Sequence, residues 1–376
     1  MKKNFIIRLR SAFLSIAAAL FSIVIFFSAV EIGLRLAGFN SAVKEETKLR
    51  LLFQMGIPLR PVDPVAFGPY DRDRLLFWKL QPNEFDEVNA KGYRGVMRSY
   101  DKPNGVLRLI IIGDSCAYGS MAENKDTYAY LLEAKLNSLH KGTFEVINAG
   151  VPGYSSLQGL RYLRNELIKY HPDMVLVGFG FNDLCEAVGK KDSDIALMPS
   201  FFITINNKLS AFKFYKLLKQ VTFRLKSIFY HISQSKVAIT LAENAIPLDK
   251  MPDLDFWVRA QNQRLAYAPT RRVPPEDFVK NINDIVDIGK KNNFSVILLT
   301  LPSIDDRFGY GPLLRLFSKK YNIPLIDLIS EFKNRKANTQ PYFIDNNHYN
   351  KEGHRLVAEI IFGQLQVLWQ PALITK

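Results

Sequence analysis

Five apolar runs, separated by segments with a helical spacing of apolar residues, constrain the fold of this chain more than any other feature. The runs are Leu107–Ile112, Phe144–Asn148, Met174–Gly178, Phe294–Thr300 and Ile323–Leu328. The helical segments are Thr127–Leu139, Ser156–Lys169, Glu276–Lys291, Leu313–Lys320 and Lys351–Leu368. Runs this apolar are typical of strands buried on both faces of a parallel sheet. Their alternation with helices predicts a three-layer α/β/α fold on a doubly wound, mostly parallel sheet.

The N-terminal segment predicts a membrane anchor. Phe13–Val30 is a run of 18 residues without a charge, at the lower end of what crosses a bilayer. Lys2, Lys3, Arg8 and Arg10 precede it, so the positive-inside rule keeps this end in the cytoplasm. We favour an uncleaved anchor over a signal peptide, because the run is long for a signal peptide and no small-x-small cleavage site follows. A single-pass protein of the inner (cytoplasmic) membrane is expected, with its remaining chain on the periplasmic or extracytoplasmic side.

The remaining chain is expected to form a leader region and one main domain. We assign residues 1–39 to the cytoplasmic tail and anchor, 40–104 to a linker and small leader region, and 105–372 to the α/β domain. The leader is rich in Pro, Gly and charge, which predicts short strands or a hairpin packed on the main domain. In it Asn89, Gly92 and Arg94 could face a functional site, but we favour turn residues for Asn89 and Gly92 and a surface arginine for Arg94. About 115 residues separate the third and fourth strands, so a helical insertion is expected at about 186–272.

The insertion carries an apolar stripe within a basic segment. The stripe has the spacing of one helix face and consists of Phe214, Leu218, Val221, Leu225, Ile228 and Ile232. Seven Lys or Arg residues lie between Pro199 and the first acid, Glu243. We favour a cap helix that packs the stripe on the sheet domain with a solvated basic face; a helix on an anionic membrane surface is the alternative. Although the net charge of the chain is +14, no segment resembles a nucleic-acid-binding module.

Three residues suited to catalysis follow three successive predicted strands. Ser115 comes directly after the first strand, Gly153 lies in a Gly/Pro turn after the second, and Asn182 follows the third. Because parallel strands end at one edge of a sheet, these residues are expected to lie close together. The Asn182 amide is a neutral donor suited to an oxyanion, and backbone can approach a ligand closely at a glycine. Taken singly, each residue is also a common cap or turn former.

A loop before the last helix supplies a base and an acid. Asp345 and His348 are three residues apart, so His348 can act as general base on Ser115 while Asp345 fixes its tautomer. His354, the rival base, lies inside the helical pattern and is expected to be structural. Asp183, the rival acid, is expected to brace the loop that carries Asn182.

Neither a metal nor a cofactor is expected. The five histidines show no metal-ligand spacing, and the two cysteines, Cys116 and Cys185, exclude a disulfide scaffold. A disulfide between these two cysteines is conceivable but not favoured, since the sequence cannot show the geometry that it needs.

Four short blocks of this chain resemble the four sequence blocks of the SGNH (GDSL) hydrolase superfamily. In order they are GDSCAYG, NAGVPG, GFND and DNNH, and the resemblance covers Leu107 to Leu368 apart from the insertion. It implies a three-layer α/β fold that hydrolyses acyl esters through an acyl-serine. It also implies that Ser115 is the nucleophile, His348 the base and Asp345 the group that orients the base.

The resemblance further assigns the oxyanion hole and a supporting residue. The backbone N–H groups of Ser115 and Gly153 and the side chain of Asn182 match the oxyanion hole of the superfamily. Asp114 is the second residue of its first motif, and we expect it to hydrogen-bond within the turn rather than to react.

An anchored serine esterase with an outward-facing catalytic domain is the favoured function, acting on an acyl ester of a glycan or a lipid. The layout is similar to envelope members that act on O-acyl groups of polysaccharides, so O-acetyl or short acyl esters are expected. The alternatives are an O-acetyltransferase of envelope glycans, a lysophospholipase-like lipid esterase and a non-catalytic glycan-binding envelope protein. The sequence gives no indication of the oligomeric state.

Overall fold

The computed structural model describes residues 2–39, 70–82, 87–139, 142–185, 187, 190–219, 221–222, 271–303, 309–335 and 339–368. The predicted linker at 40–69 and most of the predicted insertion lie outside these residues. The division into domains therefore stays a prediction.

The described residues form seven strands and a series of α-helices. The strands are β1 (Tyr70–Asp73), β2 (Phe77–Leu80), β3 (Leu107–Gly113), β4 (Phe144–Gly150), β5 (Met174–Gly178), β6 (Ser295–Leu299) and β7 (Leu325–Ile326). The helices are α1 (Lys2–Leu36), α2 (Ser115–Tyr118), α3 (Tyr128–Leu139), α4 (Ser156–Asn165), α5 (Phe181–Leu184), α6 (Ser200–Ser210), α7 (Pro275–Lys291), α8 (Gly311–Tyr321), α9 (Leu328–Arg335) and α10 (Lys351–Leu368).

The main sheet has five parallel strands in the order β4-β3-β5-β6-β7. All seven residues of β3 are buried, as expected for a strand covered on both faces. The order of strand addition reverses at β3, because β4 is added on one side of it and β5 on the other. Open α/β sheets bind their ligands in the crevice at such a switch point, beyond the carboxyl ends of the strands.

Helices cover both faces of the sheet, which confirms the predicted three-layer architecture. Ile110 and Ile112 of β3 point into one apolar cluster, which α4, α7, α8 and the β1–β2 hairpin complete. Leu109 and Ile111 point into the other cluster, which α3, α9 and α10 complete. Because successive side chains of a strand point to opposite faces of the sheet, β3 contributes to two separate hydrophobic cores.

The last predicted strand is shorter in the structure, and a helix that we did not predict follows it. The apolar run Ile323–Leu328 gives only the two-residue strand β7. Ile323 is held in the turn after α8, where its N–H bonds the Ser318 carbonyl. Asp327 then ends the strand, because its Oδ1 accepts the N–H of Ser330 in the first turn of α9. Similarly, α4 ends at Asn165, four residues before the end of the predicted helix.

The leader region contains the expected hairpin. Strands β1 and β2 pair antiparallel, and Trp78 and Leu80 of β2 are buried in the core. The Tyr154 hydroxyl donates to the Trp78 carbonyl at 2.6 Å, and the Trp78 indole N–H donates to the Pro152 carbonyl at 3.2 Å. The hairpin therefore supports the turn between β4 and α4.

The interpretation of Arg94 as a surface residue is wrong. Arg94 is 5% exposed, and its guanidinium donates to the carbonyls of Tyr118, Gly119 and Ala122 at 3.1, 2.8 and 2.6 Å. A positive group at the carboxyl end of a helix satisfies carbonyls that have no partner within the helix. Arg94 thus holds the end of α2, and its own backbone pairs with Asn148 of β4.

The N-terminal helix α1 is long and exposed. The 27 residues from Arg10 to Leu36 form a segment long and apolar enough to cross a membrane. No residue in the most apolar stretch of this segment is buried in the protein. The described part of the predicted stripe does not pack on the sheet domain as we favoured. Phe214 instead contacts Phe27 of α1, with ring centroids 4.8 Å apart, and Leu218 and Val221 are exposed. Residues 225, 228 and 232 of the stripe lie outside the described residues.

The two ends of the insertion are fastened to each other and to the sheet domain. Arg272 donates its N–H to the Cys185 carbonyl and accepts the N–H of Asp192 on its own carbonyl, both at 2.8 Å. Its guanidinium forms a buried ion pair with Asp192 at 2.9 Å and also donates to the Gly153 carbonyl at 2.8 Å. Buried charges need such partners, so this arrangement fixes where the insertion leaves and re-enters the domain.

Helix α2 approaches the sheet so closely that a side chain at Gly150 has no room. A Cβ there would lie 2.3 Å from the Tyr118 nitrogen and 2.7 Å from the Ala117 carbonyl carbon. Because both neighbours are backbone atoms, α2 can pack on β4 only over a glycine.

Gly150→Ala is therefore expected to lower stability by about 1–3 kcal/mol, since α2 must move away from β4. The measurement is the thermal midpoint of the full chain in detergent. Gly363→Ala is the matched control, because Gly363 lies in α10 with open space around its Cβ position. That change should raise the midpoint slightly, by the helix propensity of alanine. Equal midpoints for Gly150→Ala and wild type would contradict the close approach.

The buried carboxyl group of Asp183 should make the stability of the protein depend on pH. Burial raises the pKa of Asp183 to about 7, and hydrogen bonds from Ser156 offset this only in part. In the unfolded chain the Asp183 carboxyl ionises near pH 3.8. Between pH 3.8 and about 7, only the folded state therefore keeps the proton on this carboxyl. Stability should fall as the pH rises from about 4 to about 7, by at most about 4 kcal/mol from this group.

Asp183→Asn should remove that loss of stability. The asparagine keeps the Oδ1 that accepts from the Ser156 N–H and hydroxyl, and it cannot ionise. Denaturant titrations in detergent at pH 4.5 and 7.5 compare variant and wild type. The variant should gain relative to wild type at the higher pH; the same pH dependence in both proteins would show that Asp183 is not the cause.

Candidate active site

Ser115 is the first residue of α2 and lies at the carboxyl end of β3. Asp114 precedes it, and its Oδ1 accepts the N–H of Cys116 at 2.9 Å, which caps the amino end of α2. Asp114 therefore hydrogen-bonds within the turn, where we expected it to. The strand–turn–helix geometry places the Ser115 hydroxyl at the switch point of the sheet.

His348 joins Ser115 to Asp345. The Ser115 Oγ lies 2.7 Å from His348 Nε2, and Asp345 Oδ2 lies 2.7 Å from His348 Nδ1. Burial raises the pKa of Asp345, but its hydrogen bond with His348 and the charge of that imidazole outweigh this and lower the pKa overall. An ionised Asp345 accepts the Nδ1 proton and leaves Nε2 free to accept the Ser115 proton.

The loop that carries His348 is held by its own aspartate. Asp345 Oδ1 accepts the backbone N–H groups of Asn347 and His348 at 3.1 and 2.8 Å. The Ile344 N–H donates to the His348 carbonyl at 2.8 Å and closes the turn. One carboxylate therefore fixes both the backbone and the imidazole of His348.

Cys116 connects α2 to this loop. Its buried thiol donates to the Asn347 carbonyl at 3.2 Å. Burial raises the pKa of the Cys116 thiol well above its usual value, so it stays a donor. Cys116 and Cys185 are both free cysteines, and the conceivable disulfide is not formed.

Asn182 and Gly153 flank the Ser115 turn. The Asn182 amide, in α5, donates to Asp114 Oδ2 at 3.2 Å, which leaves its second N–H available. Gly153 has φ of +80°, and a Cβ there would lie 3.2 Å from the Trp78 ring. Among the described residues, no carbonyl accepts the backbone N–H of Ser115 or of Gly153. These donors suit an oxyanion beside the Ser115 hydroxyl.

His354 and Asp183 do not join Ser115. His354 is buried in α10, where its Nδ1 accepts the N–H of Tyr128 at 3.3 Å. Burial lowers the pKa of His354 to about 3, so the imidazole stays neutral. Asp183 accepts from Ser156 at the start of α4 and thus braces the Asn182 loop. Within the described part of the chain, no cluster of ligating side chains could hold a metal.

Sequence reasoning missed the supporting roles of Trp78, of Arg94, for which we favoured a surface position over one facing the site, and of Cys116. Each acts on backbone carbonyls of a loop distant in the chain, at Pro152, at Gly119 and at Asn347. No local pattern marks such contacts. The position of Cys116 beside the candidate nucleophile was the only signal available.

Several solved structures are similar in fold at low sequence identity. An acetyl xylan esterase, AlAXEase, is 17% identical, with 69% of this chain and 100% of that chain covered and a TM-score of 0.40. The lipase/acylhydrolase from Enterococcus faecalis is 17% identical, with 69% and 96% covered and a TM-score of 0.39. A catalytic mutant of Axe2, an acetylxylan esterase from Geobacillus stearothermophilus, is 14% identical, with 69% and 94% covered and a TM-score of 0.41.

The sequence itself matches a family model. No curated protein matches the chain significantly. The model of the GDSL-like Lipase/Acylhydrolase family matches residues 111–356, which is more than half of the chain and includes all four motif blocks. The chain therefore belongs to the GDSL-like lipase/acylhydrolase family of ester-bond hydrolases.

Proposed function

We propose that this hydrolase is a serine esterase that works through an acyl enzyme on Ser115. The observation that carries the proposal is the unbroken hydrogen-bonded series from Ser115 Oγ through His348 to Asp345, with both distances 2.7 Å. A nucleophile, a base and a group that orients the base are the three parts that nucleophilic acyl transfer requires.

The reaction has two halves. In the first, His348 Nε2 takes the Ser115 proton while Oγ attacks the ester carbonyl carbon, and the C–O bond to the alcohol then breaks. His348 returns the proton to the leaving alcohol, which leaves the acyl group on Ser115. In the second half, His348 takes a proton from water, water attacks the acyl carbon, and the acid departs as Ser115 recovers its proton.

The developing oxyanion is held by three donors. They are the backbone N–H groups of Ser115 and Gly153 and the Asn182 amide. Preorganised donors are worth most when their direction is fixed before the reaction. Asp114 fixes the direction of the Asn182 amide by accepting a hydrogen bond from one of its two N–H groups. The Trp78 ring lies against the Gly153 turn.

We place the substrate among short O-acyl esters of envelope glycans. The support is the layout, an apolar N-terminal helix ahead of the family domain, together with the positive-inside orientation of α1. The same acyl enzyme can pass its acyl group to a glycan hydroxyl instead of water. The free acid therefore has to be measured with a glycan acceptor present.

Replacing the nucleophile or the base should abolish most turnover. Ser115→Ala and His348→Ala are each expected to lower kcat for a short acyl ester by on the order of 10³-fold or more, because the attacking oxygen or its base is lost. Ser99→Ala and His171→Asn are matched controls, since both side chains are exposed and neither contacts the Ser115 series. Turnover is followed as release of free acid from acetylated oligosaccharides, short acyl esters and lysophospholipids.

The outcomes separate the candidate functions. The esterase is supported if both variants lose turnover while the control variants keep it, and if wild type releases free acid even when a glycan acceptor is present. Acyl groups on the acceptor instead of free acid would identify a transferase, and preference for lysophospholipids would identify a lipid esterase. Unchanged hydrolysis in Ser115→Ala would refute the acyl-serine mechanism, and no hydrolysis by wild type of any of these esters would favour a binding protein.

Asp114 and Asn182 should act as one unit. Asn182→Ala is expected to lower kcat by about 10²–10³-fold with little change in KM, the usual loss for one oxyanion donor. In Asp114→Asn, an amide N–H replaces the carboxylate oxygen that accepts from Asn182, so two donors face each other. The Asn182 amide should then turn away from the oxyanion, and kcat should fall by a similar factor. The double variant should lose no more than Asn182→Ala alone. Fully additive losses would show that Asp114 does not act through Asn182.

A further inference from the structure

Helix α6 presents its apolar side chains to the outside of the molecule. Phe201 and Phe202 are 68% and 58% exposed, and Ile205 and Leu209 are exposed as well. Leu197 and Met198, just before the helix, and Phe212, just after it, are exposed as well. At 100° per residue, the four exposed apolar residues inside α6 fall within about 100° on one side of the helix.

The side of α6 that faces the protein carries Asn206, Asn207 and Ser210. Asn207 Oδ1 accepts the Arg72 N–H at 2.7 Å, and its Nδ2 donates to the Arg72 carbonyl at 2.9 Å, so the helix is pinned to β1. Ser210 on the same side is buried, and its hydroxyl donates to the Asn206 carbonyl. A surface helix in water normally has the opposite orientation. The hydrogen bonds to β1 therefore fix an apolar face that points away from the domain.

The exposed apolar face is continuous with the anchor helix. The Phe214 ring packs on Phe27 of α1, and the Phe214 N–H donates to Glu31 Oε2 at 2.9 Å. Both α1 residues lie near the end of its apolar run. The next helical residues, at 213–219, keep Leu218 exposed, and Val221 beyond them is exposed too. The apolar face thus begins where the predicted span leaves the hydrocarbon.

The charge around this face favours an anionic surface. No acidic residue occurs between Asp194 and Glu243, while seven lysines and arginines do. Four of them, Lys208, Lys213, Lys216 and Lys219, lie within the described part of this segment. Aromatic and aliphatic residues on one side with flanking cations are the signature of a helix in the interface of a membrane.

We propose that residues 195–219 form a second membrane contact, with α6 lying in the headgroup region of the anionic leaflet in which α1 ends. The inference rests on the proposal that α1 spans the membrane. A bilayer fits better than a protein partner, because the face adjoins the anchor and because residues 195–219 carry four lysines and no acid. Since α6 is bonded to β1 and the hairpin supports the Gly153 turn, this contact holds the catalytic domain at a fixed height and orientation on the membrane.

Lipid quenching of a fluorophore tests the contact in the full chain. The chain is reconstituted into vesicles of phosphatidylcholine and phosphatidylglycerol, with or without bromine on the acyl chains. A polarity-sensitive dye is placed on Phe202→Cys or Ile205→Cys in a Cys185→Ala background, where the buried Cys116 stays unlabelled. Tyr130→Cys is the matched control, because Tyr130 is a 49% exposed aromatic residue on α3. Phe21→Cys in α1 reports the anchor itself.

The proposal expects a blue shift and strong quenching at positions 202 and 205, and neither effect at position 130. Phe201→Ser should weaken the quenching at position 205, because it removes the most exposed apolar anchor of α6. Quenching at position 21 without quenching at 202 and 205 would overturn the second contact and leave the anchor intact. No quenching at position 21 would overturn both, while ester hydrolysis by Ser115 would be unaffected. A blue shift without quenching would mean that a protein covers this face, which also contradicts the proposal.

Discussion

The hydrogen bond between Ser115 and His348 is the constraint on which the rest of the site depends. It joins residues 233 positions apart in the chain at 2.7 Å, so the first and last elements of the domain must meet. The parallel sheet makes this possible because β3 ends at the switch point. The close packing of α2 over Gly150 then sets the height of the Ser115 hydroxyl above the sheet.

The partners of Ser115 are held by contacts that do not involve the substrate. Asp345 fixes its own loop through two backbone N–H groups, and Cys116 connects that loop to α2. Arg94 satisfies the carbonyls at the end of α2. The leader region therefore belongs to the site in a physical sense, although none of its described residues is proposed to react. Such preorganisation is what electrostatic catalysis requires of a fold.

The fold was predictable from the sequence wherever the local pattern of apolar residues alone decides the structure. The apolar runs for β3 and β5 specified buried strands, and the topology then placed the ends of three strands at one edge. Prediction failed where distant parts of the chain decide the outcome. Arg94 is buried only because the leader folds over α2, and the run for β7 is cut short by the cap that Asp327 gives to α9. The orientation of α6 is also a tertiary effect, since the Asn207 side chain is bonded to the backbone of Arg72 in β1.

The most direct test of the account is to observe the acyl group on Ser115. The full chain is mixed with a short acyl ester, quenched in acid within the first turnovers, digested and analysed by mass spectrometry. The account predicts that the peptide containing Gly113-Asp114-Ser115 gains the mass of the acyl group less one hydrogen, with the modification on Ser115. An active enzyme that never carries the acyl group on this residue, even when deacylation is slowed, would contradict it.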